Sequence, residues 1–224
     1  MFNVTRTQPS PPSLANNTSY RYPDVIQALQ AMFHGKCYLC EQDSISDPEV
    51  EHFVPHGENT ALKFGWNNLF YSCRRCNGIK SNTHRDLLDC TDSRVNVFEE
   101  IVHYAGNAAV GEIEIKANLA QPSKETINTV DLLKKCFNEE TTGLKAVSKE
   151  SLLEKLLDDF NEFMTHRNSL VNKRSTSQVV SQAKESLMIM CSEDYPFSVF
   201  WKWHILKDPT IERKFPAIRN ELNF

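Results

Sequence analysis

Cys37-Tyr-Leu-Cys40 and Cys73-Arg-Arg-Cys76 bracket the segment Val50-Glu-His-Phe-Val-Pro55, and Asn67-Asn68-Leu-Phe-Tyr-Ser72 runs directly into the second cysteine pair. Each Cys-x-x-Cys is a tight chelating turn, and two such turns complete the tetrahedral thiolate shell that Zn²⁺ prefers. That shell has no open position, so Cys37, Cys40, Cys73 and Cys76 read as ligands of a structural zinc. The stretch between the pairs is longer than a compact zinc ribbon needs, so the metal clasps the base of a loop that carries something else. A disulfide framework is disfavoured, because the chain has seven cysteines and paired Cys-x-x-Cys spacing belongs to metal sites in reducing compartments. The remaining Cys90, Cys136 and Cys191 read as small buried apolar side chains.

Upstream of the first pair, Pro23 opens an amphipathic pattern (Val25, Ile26, Leu29, Met32, Phe33) that His34-Gly35 closes, predicting a helix. Val50 to Val54 is β-prone and breaks at Pro55 and Gly57, and Cys73 to Lys80 fits one or two helical turns. Short strands are expected over residues 94–98 and 112–116. Beyond Pro122 the periodicity turns helical, with apolar stripes at Ile127–Phe137, Leu152–Met164 and Val179–Cys191. The fold class is therefore α+β, mostly helical. Three regions follow: a flexible arm over 1–20, where Pro9, Pro11 and Pro12 sit among polar residues; a catalytic module over 21–120; and a helical region over 121–224. The aromatic tail of that last region, with Phe197, Phe200, Trp201 and Trp203, suits partner docking, although packed core is the more common fate of such a cluster.

A hydrophobic fraction of 40% with 24% charged residues is ordinary for a soluble protein. No apolar run approaches the roughly 20 residues of a membrane span, and the N-terminal residues lack a secretory pattern, so a cytoplasmic location without membrane contact is expected. A formal net charge of -4 confines any nucleic-acid contact to a local patch. Lys36, Lys63, Arg74, Arg75, Lys80 and Arg85 supply a basic excess around the cysteine motif.

In order, a knuckle Cys-x-x-Cys, acid-His-x-x-Pro, Asn-Leu and Cys-x-x-Cys-Asn-x-x-Lys resemble the HNH, or ββα-metal, endonucleases. The resemblance implies a zinc-knuckled ββα-metal module with a helical C-terminal extension. It further implies that His52 is the general base, that Asn68 ties the loop and aims that base, and that Glu51 and Asn77 hold a catalytic divalent cation. Asn77 stands where the family has a second His, and an amide oxygen favours Mg²⁺ or Mn²⁺ over softer ions. Arg74, Arg75 and Lys80 are then candidate phosphate contacts, with His56 as a further substrate contact. The phrases Cys37-Tyr-Leu-Cys-Glu41, Val50-Glu-His-Phe-Val-Pro55 and Trp66-Asn-Asn-Leu-Phe-Tyr-Ser-Cys-Arg-Arg-Cys-Asn77 are similar to the PtuB group of HNH proteins. Membership of that group implies the toxic effector of a bacterial antiphage complex, partnered by a PtuA-like ATPase. In retron-linked systems it also implies a reverse transcriptase with its RNA–DNA product. A zinc-stabilised adaptor with a degenerate cleft, binding ATPase or nucleic acid without cutting, is the competing reading.

Overall fold

The computed structural model describes residues 1–106, 108–139 and 149–221. Its first helix, α1 (Pro23–Met32), starts where proline costs no hydrogen bond, because an N-terminal N–H has no helical acceptor. It buries Val25, Leu29 and Met32 along one face and ends where His34 and Gly35 take positive φ, with the Gly35 amide returning to the Gln30 carbonyl at 2.7 Å. Gly35, at φ +69°, adopts the left-handed conformation that tolerates a side chain poorly. The chain then turns through the first cysteine pair.

Strands β1 (Pro48–His52) and β2 (Leu69–Cys73) pair antiparallel in the register Pro48↔Cys73 to His52↔Leu69, with the short helix α2 (Thr60–Lys63) in the intervening loop. The chain continues from β2 straight into helix α3 (Arg74–Lys80), whose N-cap is Cys73. A second antiparallel pair, β3 (Ile101–Tyr104) and β4 (Glu114–Ala117), follows the helical turn α4 (Val97–Glu100). Asn96 accepts a hydrogen bond from the Glu99 amide and so caps a turn where a strand was expected; the strand begins only at Ile101. The expected strand at 112–116 lies almost on β4.

The three helical stripes become α5 (Lys124–Asn138), α6 (Lys149–Val171) and α7 (Ser177–Met190). After them come α8 (Ser198–Lys207), α9 (Pro209–Lys214) and α10 (Ile218–Glu221). The chain is α+β and about half helical. None of the described helices is long and apolar enough to cross a membrane.

Two regional expectations are corrected. Residues 1–20 are not a loose arm: Met1, Phe2, Val4 and Leu14 are buried, and the Val4 amide donates to the Cys90 carbonyl at 2.8 Å. Arg6 donates to the carbonyls of Trp66 and Leu69 and lies 4.7 Å from the Phe70 ring centroid, while the Trp66 indole donates to the Thr7 carbonyl. Prolines punctuate this segment, yet its few apolar side chains reach the core and its amides find partners. Nor is the aromatic tail a docking face. Phe200, Trp201 and Trp203 are buried in α8 and Phe197 just before it, Trp203 donates to the Ile101 carbonyl, and Trp201 stacks on Phe163. Lys202 and His204 are buried beside them, so α8 is an interior helix. Helix α8 packs on β3, and the Glu41 carboxylate accepts from the Ser198 hydroxyl and the Val199 amide. The N-terminal and C-terminal parts therefore share one core.

Candidate functional site

The turn after α1 brings Cys37 and Cys40 against Cys73 and Cys76, which the β2–α3 junction presents together. All four are buried, and their sulfurs lie within 4.8 Å of one another, Cys40 and Cys73 at 3.9 Å. Zn–S bonds of about 2.3 Å in a tetrahedron require sulfurs about 3.8 Å apart, so the donor set fits a metal ion such as zinc. The Cys76 amide points at the Cys73 sulfur at 3.4 Å, the geometry of a hydrogen bond onto a thiolate. With every ligand position taken by sulfur and solvent excluded, such an ion has no room for substrate.

The β1–β2–α3 unit carries the other candidates. Successive strand residues face opposite ways, and here Glu51 faces α3 while His52 faces the 53–68 loop. Glu51 is 5% exposed. Lys80, with no exposure at all, donates to Glu51 Oε1 at 2.6 Å and to the His52 carbonyl at 2.9 Å. Burial pushes the Glu51 carboxyl up, and the Lys80 ammonium opposes that only in part. The His52 ring lies against Tyr20 and His56, with centroids 4.6 and 4.7 Å away, and its Nε2 is 3.0 Å from the Lys63 carbonyl. A carbonyl only accepts, so Nε2 carries the proton and Nδ1 the lone pair. Burial holds the imidazole below its usual range and favours this neutral form.

Asn68 crosses the loop. Its Oδ1 accepts from the Val54 amide at 2.7 Å, and its Nδ2 donates to the carbonyls of Val54 at 2.8 Å and Leu62 at 2.9 Å. Asn77, half-buried on α3, stands one turn before Lys80. Among the described residues, the four cysteines form the one group of three or more His, Cys, Asp or Glu ligand atoms that converges on a metal-sized space. A divalent cation near Glu51 would have one carboxylate and the Asn77 amide, with water for the rest. Mg²⁺ is commonly held by one or two carboxylates plus phosphate, but the Glu51 carboxylate is buried and already engaged by Lys80, so a cation there must displace the ammonium.

The expected phosphate contacts separate. Arg74 is exposed, 3.8 Å from Asp47. Arg75 is buried and donates to the Cys136 and Glu139 carbonyls, and Lys80 is buried on Glu51, so neither presents charge to a ligand; their assignment as phosphate contacts is corrected to an internal one. His56 is half-buried, its Nδ1 accepting from the Glu58 amide. Sequence reasoning missed Tyr20 and the Lys63 carbonyl, since neither residue type announces a contact with a histidine far along the chain. For Lys80 a signal existed: its i+3 position after Asn77 puts it on that residue's face of a helix that follows β2.

The chain is 39% identical over 71 residues to the Septu protein PtuB of Bacillus thuringiensis, covering 30% of this chain and 27% of the relative. It is 35% identical over 74 residues to the Septu protein PtuB of Bacillus mycoides strain KBAB4, covering 26% and 25% respectively. The matches thus span about a quarter of the relatives' length. No family model and no solved structure matches. Across the 71 and 74 residues that align, the chain is PtuB-like.

Proposed function

We propose that the chain is an HNH-type, metal-dependent endonuclease, and that it serves as the effector of a Septu antiphage system with a PtuA-like ATPase as partner. The carrying observation is the braced His52: Nε2–H held by the Lys63 carbonyl, Nδ1 left basic, and the loop behind it tied by the Asn68 amide. In this reading Nδ1 takes a proton from the water that attacks phosphorus, the bond from phosphorus to the 3′-oxygen breaks, and that oxygen takes a proton from solvent, leaving 5′-phosphate and 3′-hydroxyl ends. Asn68 keeps the ring's supporting loop from moving, and Glu51 with Asn77 would hold Mg²⁺ or Mn²⁺ where a local bend of β1 brings Glu51 and His52 to one phosphate. When bound, that cation supplies positive charge where the phosphate oxygens gain negative charge. The four cysteines would hold zinc as the clasp under the loop. The relatives are Septu proteins, and a reverse-transcriptase partner has no support beyond the resemblance, so it is not part of the proposal.

The adaptor reading draws on one observation, the engagement of Glu51 by Lys80. A single experiment separates the two. Protein with its ATPase partner is given DNA and RNA substrates with Mg²⁺ or Mn²⁺, beside His52→Ala. Loss of a general base should lower the rate by roughly 10²–10⁴-fold. Equal cleavage by both proteins rejects His52 as the base, and cleavage by neither favours the adaptor.

A further inference from the structure

Past the C-terminus of α3, the loop through residues 83–86 and one face of α5 enclose a cavity of about 590 Å³ whose lining includes His84, Arg85, Asp131, Lys134 and Lys135. Asn128, Asp131, Lys134 and Lys135 recur at helical spacing and so share a face. The loop is fastened to that face: Asn128 Nδ2 donates to the Arg85 and Asp86 carbonyls at 3.1 Å each, and the Leu88 amide donates to Thr129 Oγ1 at 2.8 Å. Lys135 Nζ lies 3.4 Å from His84 Nε2, and Lys124 pairs with Asp86 at 2.6 Å. Three cations of the lining, Arg85, Lys134 and Lys135, thus stand around two carboxylates, Asp86 and Asp131, with Lys124 paired to Asp86 and Glu139 near His84, in a chain whose net charge is -4. The loop also runs back to α3, the His84 amide donating to the Lys80 carbonyl.

We propose that this cleft binds backbone phosphates of a nucleic-acid strand. The inference rests on the endonuclease reading. A polar cleft rimmed by lysine and arginine, with His84 the one ring among its lining residues, recognises charge and not sequence. Asn128, the side-chain amide here, is engaged by the loop.

The test is binding of a labelled oligonucleotide, single-stranded and duplex, followed by fluorescence anisotropy from about 50 to 200 mM salt. The full chain carries His52→Ala to prevent turnover. Each lost phosphate contact should flatten the plot of log affinity against log salt by about 0.7 for single strands or 0.9 for duplex. Lys134→Gln with Lys135→Gln should therefore remove about 1.4–1.8 from the slope and weaken binding roughly tenfold or more. Asp131→Asn should tighten it. Both lysines are exposed, so an unchanged melting temperature establishes that the fold is retained. An unchanged slope in the double lysine variant overturns the inference, as does loss of binding to a protein partner with the oligonucleotide slope intact. Oligonucleotide bound with the lysine-dependent slope but never cut by the His52 protein rejects the endonuclease reading and keeps this one. Cutting with a slope indifferent to the lysines does the reverse.

Discussion

A lysine ammonium without exposed surface persists only where an anion and further acceptors replace its water, and Lys80 has both in Glu51 and the His52 carbonyl. Removing the cation alone leaves Glu51 buried and unpaired. Lys80→Met should therefore cost about 3–5 kcal/mol in urea denaturation, while Lys80→Met combined with Glu51→Gln should recover most of that loss. Arg74→Gln, which touches only an exposed pair at 3.8 Å, should cost under about 1 kcal/mol. Equal small effects for Lys80 and Arg74 would show that the buried pair does not form. The adjacent residues Glu51 and His52 are legible in sequence as chemistry-bearing groups. Their division between two faces follows from strand alternation, but which face meets α3 depends on pairing with β2, a contact distant in sequence.

At the scale of elements, β1 and β2 have five residues each, and an isolated two-stranded hairpin is marginal in water. The cysteine cluster joins the turn after α1, the end of β2 and α3, so metal binding there couples to folding of the whole unit. Cys73→Ser, or a strong chelator, should release zinc and melt the unit, removing on the order of 10 kcal/mol. Metal content and circular dichroism measure this; a zinc-free chain with native ellipticity contradicts the clasp. The helices α1, α5, α6 and α7 were legible from apolar spacing, and the structure adds caps such as Ser123 on the Thr126 amide. Helix α8 was not. Its aromatic run is equally compatible with an exposed patch and a core helix, and only its seat on β3 and α6 decides for the core.

Across the whole molecule, a buried titratable group links the two ends of the core to pH. His204 on α8 accepts the Ala105 amide at 3.2 Å through Nε2 and stacks on Tyr104, so the folded ring is neutral; burial foremost, then Lys207, pushes its pKa down to about 4. The unfolded chain protonates near 6.5. Between these values the unfolded state binds the extra proton, so the stabilisation is complete above about 6.5 and is lost as pH falls toward about 4. Buried His103, pushed down to about 3, adds to the same trend. Urea midpoints from neutral pH to pH 4.5 should fall steadily, and His204→Gln, which keeps an acceptor for Ala105, should flatten the fall; parallel curves would exclude His204 as a source. What the sequence alone determined is local in origin. The two Cys-x-x-Cys turns carry their metal chemistry in their spacing, and the helices carry their periodicity. Tertiary structure decided everything that depends on burial: that residues 1–20 are strapped to the core, that Lys80 and Arg75 face inward, and that His52 is braced by Lys63 and Tyr20. A charge or an aromatic ring has the same letter inside and outside, and only the packing of segments distant in the chain sets the water it loses and the partner it gains.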